Sequence, residues 1–276
     1  MIEARSSKIS YLSRRGIEYI SLHIPIIRTI YWEVAPKYYQ WYLKPDLCDF
    51  ALPISPFSIL YTSPKSIDRF TGIQGNAFER VEDIGKVQQG NWDKKNRIDQ
   101  EGVSEVFTAN RLTDTILYKS LKSHFEENIN WEHTQFIKEL GRRVSRGEVV
   151  WHGCQTEEDI YNRCEQIDYL FENIRLEGYK TQFDIVQNRK FQSFKNSGFI
   201  NMLLNEITVD IGRDGSLLFV DGRHRLSISK ILNLEKVPVF VITRHNKWLD
   251  KLKQHQKGKI KLNHPDVNTD NKNSYL

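Results

Sequence analysis

The 276-residue chain is 39% hydrophobic, 12% aromatic and 27% charged, with 15 Gly and 8 Pro, which excludes collagen-like, low-complexity and wholly disordered classes. Lys and Arg total 40 against 35 Asp and Glu, a formal charge of +5 that suits a phosphate-bearing partner without requiring one. Cys48, Cys154 and Cys164 form no C-x-x-C and are too scattered for a disulfide framework or zinc knuckle, which together with the polar, signal-free stretch Met1–Ser10 points to the cytoplasm.

The most apolar stretch, Ile17–Trp32, is interrupted by Glu18, His23, Pro25 and Arg28, so it is not expected to cross a bilayer. Lys37–Pro45 then alternates aromatics with lysines, and Arg14 and Arg15 lie upstream. Two readings stand: a surface facing an interface or nucleic acid, or an aromatic element folded onto the core. A membrane-surface partner is not expected. Asp46–Gly75, with Pro53, Pro56 and Pro64 and no sustained period, reads as a wrapping segment. Residues 1–75 are thus expected to form an aromatic-rich N-terminal extension.

Phe78–Val87 suggests an extended start, and Gln89–Asp93 a turn. Helical spacing follows over Thr113–Phe125 (Ile116, Leu117, Leu121) and Trp131–Val144 (Phe136, Ile137, Leu140). A longer helix begins after Thr156-Glu157-Glu158-Asp159, carries Ile160, Cys164, Ile167, Leu170, Phe171 and Ile174 on one stripe, and stops at Gly178. Glu206–Ile211 alternates like a half-buried strand, Arg213–Gly215 is a turn, and Leu217–Val220 completes a hairpin. Leu226–Leu234 reads as a short helix and Val237–Thr243 as a buried strand, so the class is α+β. From Lys251 onward the chain is polar, basic and expected to be mobile. The expected division is 1–75, a domain over 76–246 with a helical insertion at about 100–150, and a basic tail over 247–276.

The sharpest chemical signal is Asp221-Gly222-Arg223-His224-Arg225, between the last hairpin strand and a short helix. A helix start offers unpaired N–H groups and positive potential, glycine lets an oxyanion approach the main chain, and the flanking basic residues add donors. The plainer alternative makes Asp221 a helix cap and the arginines surface charge. His224 is equally readable as a phosphate donor or a structural histidine holding the turn. His152, His245 and His264 have no metal-ligand spacing, which leaves carboxylate-bound Mg²⁺ as the metal to consider.

The run DGRHRLSISKILNLEKVPVFVITRH, Asp221–His245, resembles the core of the ParB/sulfiredoxin superfamily, in which a Gly-x-x-Arg box sits at a strand-to-helix turn and a Val-Pro strand follows. Glu172–Gln182 and Val81–Asp93 are similar in outline to its upstream helix and opening strand. The resemblance implies a small mixed sheet with packed helices, interrupted here by the helical insertion. Sulfiredoxins carry a cysteine inside the box where this chain has Arg223 and His224, so their chemistry is disfavoured. Chromosome-partition members append a helix-turn-helix domain, and the residues after His245 are too few and too polar for one. The box variant is most similar to that of the free-serine kinases.

That resemblance implies a nucleotide di- or triphosphate held by Asp221, Gly222, Arg223, His224 and Arg225, with Gln182 as a further contact and Mg²⁺ as cofactor. Asp93 is implied as base or metal ligand and His224 as a second catalytic group. The expectation is therefore a nucleotide-dependent phosphotransferase acting on a small hydroxyl-bearing acceptor. The rival is a noncatalytic DNA- or RNA-associated module using the basic tail; a nuclease ranks third, because no cluster of acids surrounds the box.

Overall fold

A computed structural model describes residues 25–50, 52, 54–95, 105–188 and 198–267. The segment upstream of Pro25, including Arg14 and Arg15, and the end of the tail lie outside them. Among the described residues there are eight α-helices and a five-stranded mixed sheet, an α+β architecture.

The sheet is built on β5 (Val237–His245), every residue of which is buried. One edge of β5 pairs in parallel with β3 (Ile207–Ile211), which pairs antiparallel with β4 (Leu217–Asp221). Along its other edge, β1 (Ile59–Thr62) pairs antiparallel with Val237–Phe240, and β2 (Lys86–Gln88) pairs in parallel with Thr243–His245. The two-residue period of these strands supplies both faces with apolar side chains. Ile207, Val209, Phe219, Val239 and Val241 share one cluster with Leu226 of α7 (Arg223–Ile231) and with Trp248, Leu249 and Leu252 of α8 (Asn246–Gln256). Val220, Phe240 and Ile242 face α1 (Pro25–Leu43) and α6 (Phe199–Leu204), where Tyr39 stacks on Phe199.

The segment expected to be a helical insertion contains α2 (Ile116–Glu127) and α3 (Gln135–Val144). Both pack with α4 (Glu157–Glu177) in a third cluster, which reaches the sheet domain through Ile228 and Ile231 on the outer side of α7. α4 begins with a reciprocal capping box between Thr156 and Asp159 and ends at Gly178, as its sequence predicts.

Two expected boundaries change. Residues 25–75 are not an appendage: β1 is a sheet strand, and Leu47, Leu60, Ile67 and Phe70 enter the central core. The apolar side chains of α1 are divided, with Ala35, Tyr39 and Leu43 buried and Ile30, Val34, Trp41 and Tyr42 exposed. The tail is ordered well past Lys251. α8 continues to Gln256, and the buried Asp266 accepts hydrogen bonds from Arg244 at 2.6 Å and from the Trp248 indole at 2.9 Å. A carboxylate closed off from water needs such partners, and they anchor the tail to β5 and α8. No helix among the described residues is long and apolar enough to cross a membrane.

Candidate functional site: the turn from β4 into α7

β4 delivers Asp221 to the sheet end, and Gly222 turns the chain into α7 with φ +89°. A side chain is excluded at Gly222 on two grounds: its φ lies in the left-handed region, and a Cβ would stand 2.9 Å from Ile207 Cα and 3.1 Å from the Glu206 carbonyl oxygen. α7 has no side-chain N-cap. Its first backbone bond runs from Leu226 N–H to the Gly222 carbonyl, so the N–H groups of His224 and Arg225 precede the helical ladder. Asp221 turns back instead, accepting from Gly222 N–H at 2.8 Å. It is therefore not the helix cap that the plainer reading made it.

The side chains of the box divide between two neighbourhoods. Arg223 donates to the Phe107 carbonyl at 3.2 Å and lies over the Phe107 ring, tying the turn to the segment that precedes α2. Arg225 reaches the opposite way, to 3.8 Å from the carboxylate of Glu206, and lines a cavity of about 530 Å³ together with Tyr169, Asn173, Tyr179, Gln182 and Asn205. Glu206 is buried at the entry to β3. It accepts from Gln182 N–H at 2.5 Å and from the Tyr179 hydroxyl at 3.4 Å. Burial pushes the Glu206 carboxyl up to about 7, against the opposing pull of Arg225 and these two donors. The Tyr179 hydroxyl is likewise raised by burial.

His224 points away from this cavity, its ring centroid 5.8 Å from that of Trp151. Burial, reinforced by Arg223, His152, Arg163 and Arg225, lowers its pKa to about 3. The imidazole is thus neutral at neutral pH, chiefly because it is buried and secondarily because of its cationic neighbours.

The expected site residues fare unequally. Asp221 to Arg225 form one turn, and Gln182, the first residue of α5 (Gln182–Asn188), stands on the adjoining cavity, with its main-chain N–H bonded to Glu206. Asp93 does not join them, which corrects the expectation that it serves as base or metal ligand there. It is buried beside the β3–β4 turn, where Arg213 grips both carboxylate oxygens at 2.6 and 2.7 Å and also donates its main-chain N–H at 3.0 Å. Leu217, next to that turn, and Asp221 are at opposite ends of β4, about 13 Å apart at ordinary strand rise. Burial alone would raise the Asp93 carboxyl, but Arg213 and the nearby His245 outweigh it and hold it at about 2. With its oxygens engaged by a guanidinium, Asp93 does not fit Mg²⁺, and among the described residues no group of three or more His, Cys, Asp or Glu is arranged to hold a metal.

Asp210 is equally unavailable, bound by Arg80 at 2.9 and 3.1 Å and by Thr71 at 2.6 Å within the sheet domain. Cys154 and Cys164 are buried with thiols raised by burial, the latter to about 12, so neither is an activated nucleophile. Phe107 precedes α2, Trp151 stands between α3 and α4, and Arg163 is on α4; their nearest signal in the sequence is the Trp151-His152-Gly153 break between two helical patterns. Comparisons with protein-family models, curated proteins and solved structures find no match.

Proposed function

We propose that the chain binds a nucleoside di- or triphosphate, its phosphates on the start of α7 and its nucleoside in the adjoining cavity, and transfers a phosphoryl group to a small hydroxyl-bearing acceptor. The observation that carries this reading is Arg225, which stands in the first turn of α7 and also on the cavity wall. One ligand with an anionic and a polar-aromatic part can meet both through that residue. The cavity's roughly 530 Å³ is ample for a nucleoside, and pockets of this kind combine apolar walls with a few placed polar groups. The left-handed Gly222 and the uncapped helix start supply main-chain donors, and the arginines supply charge-assisted ones.

Phosphoryl transfer asks a protein chiefly to position reactants and stabilise charge, which suits such a turn. Glu206, closed off from solvent, is a positioning group for Arg225 and for the main chain at Gln182. Mg²⁺, usually bound through one or two carboxylates and the substrate's phosphates, would find its protein oxygen at Asp221 and not at Asp93. The resemblance of Asp221–Arg225 to the free-serine-kinase box supports the same class.

The rival, a nucleic-acid module using the box with the exposed Lys247, Lys257, Lys259 and Lys261, predicts different ligand behaviour. A thermal-shift panel of ATP, ADP, CTP and GTP, with and without Mg²⁺, beside a short DNA duplex at rising salt separates them. Stabilisation by a mononucleotide supports the proposal; stabilisation by duplex alone, fading steeply with salt, overturns it.

A further inference from the structure

On the side of α7 away from the cavity, three enclosed side-chain nitrogens lie near one another without a hydrogen-bond partner among the described residues. Trp151 is 6% exposed, yet its indole Nε1 has no hydrogen-bond partner among the described residues. The same holds for the buried Nε of Arg163, whose guanidinium lies 5.2 Å from the centre of the Trp151 ring, and for the buried Nε2 of His224. A buried indole N–H left unsatisfied is destabilising, and such groups ordinarily find a partner. The backbone that presents the indole is itself unusual: Trp151 and His152 have φ of +33° and +61° and are followed by Gly153 at +96°. Sequential left-handed residues of this kind persist where surrounding structure holds them.

We infer that Trp151, Arg163 and His224 form a second anion subsite, which takes a compact oxyanion, a carboxylate or a phosphate, separate from the nucleotide's phosphates. The chemistry of the donors fixes the class. An indole N–H donates and cannot accept, and a guanidinium does the same with a positive charge. His224, held neutral chiefly by burial, adds a directional group without a second charge. The indole lies beneath the guanidinium and beside the imidazole, so the ligand must be small and rich in acceptors. Taken with the proposed function, on which this last step rests, the subsite would hold an anionic group of the acceptor, placing its hydroxyl beside the helix start that carries the phosphates.

The test reads the Trp151 indole directly. In the proton–nitrogen spectrum of the full chain, the indole resonance missing from Trp151→Phe belongs to Trp151. Titration with inorganic phosphate, malonate or ADP then follows that resonance in the parent, in Arg163→Gln and in Arg225→Ala. The proposal predicts that phosphate or malonate moves the resonance saturably, that Arg163→Gln weakens this binding about tenfold or more, and that Arg163→Gln leaves ADP affinity unchanged. Movement by phosphate but not malonate, or the reverse, identifies which oxyanion is taken. A resonance indifferent to both anions overturns the subsite. Loss of ADP affinity in Arg163→Gln equal to that in Arg225→Ala overturns its separateness and makes Arg163 part of the nucleotide cradle. Failure of ADP to bind at all, with the oxyanion response intact, overturns the proposed function and not the subsite.

Discussion

Replacing Glu206 with Gln changes the dependence of stability on pH, and the size of the change follows from the carboxyl's surroundings. In the folded chain the carboxyl stands at about 7 against an ordinary 4.5. Between those values the folded protein holds a proton that the unfolded chain has released, so stability falls as pH rises. The protonated carboxyl contributes fully below about pH 4.5, and its contribution is lost as pH rises through about 7. A difference of some 2.5 pH units at about 1.4 kcal/mol each comes to ~3 kcal/mol. His224 acts in the opposite sense. With a pKa lowered from 6.5 to about 3, it favours the folded state above its unfolded value and withdraws that support as pH falls. The parent's curve alone therefore mixes two opposing slopes, and the informative quantity is the variant minus the parent. Gln at 206 keeps an oxygen for the Gln182 N–H and cannot ionise. Urea unfolding from about pH 5 to about pH 8 is expected to show this difference rising in the variant's favour by about 1.4 kcal/mol per pH unit up to about pH 7, then levelling. A difference that stays constant with pH would refute the account of Glu206 as a carboxyl desolvated by the fold.

Further variants separate the roles of the turn from those of the scaffold. Gly222→Ala forces a Cβ against Ile207 and Glu206 at positive φ, and is expected to cost about 1–3 kcal/mol in denaturant unfolding, together with nucleotide affinity. Asp93→Asn loosens the grip on Arg213 and is expected to cost roughly 2–3 kcal/mol, while ADP affinity measured by calorimetry stays within about twofold, a change of only ~0.4 kcal/mol. Because the Asp93 carboxyl is held at about 2 instead of 3.8, its contribution of ~2 kcal/mol is present above about pH 4 and lost as pH falls through about 2. Asp266→Ala leaves Arg244 buried without its carboxylate, and is expected to lower stability by about 3–5 kcal/mol in the same unfolding assay.

Much of this architecture follows from local chemistry that a single sequence displays. Thr156 and Asp159 announce the start of α4, and the alternation over Glu206–Ile211, the Arg-Asp-Gly turn and the apolar run Leu217–Val220 mark the β3–β4 hairpin, although β3 is buried along its whole length and not on one face only. The box was legible for the same reason, since its glycine, its arginines and the strand–helix transition lie within a few consecutive residues. β1 was hidden: only four residues long and bracketed by Pro56 and Pro64, it owes its place to pairing with β5 and not to its own period. The tail misled because its composition is polar, whereas one carboxylate, Asp266, binds it through a long-range ion pair that no window of sequence contains.

Asp93 shows the same limit at the site. A carboxylate in a turn after an extended segment looks free to act, and only the fold brings Arg213, 120 residues away, onto both of its oxygens. Conversely, Trp151 and Arg163 reach the box from a connection and a helix whose sequences mark them as ordinary core and surface residues. Their approach to His224 depends on α4 packing across α7, which periodicity predicts for neither helix.

The central claim is that the start of α7 is a phosphate cradle with Arg225 as its link to the cavity. Calorimetric titration of ADP into the parent and into Arg225→Ala tests it most directly. The account predicts saturable binding by the parent and a loss of at least about tenfold in the variant, with the variant's unfolding still cooperative. Equal affinity in the two proteins would contradict it.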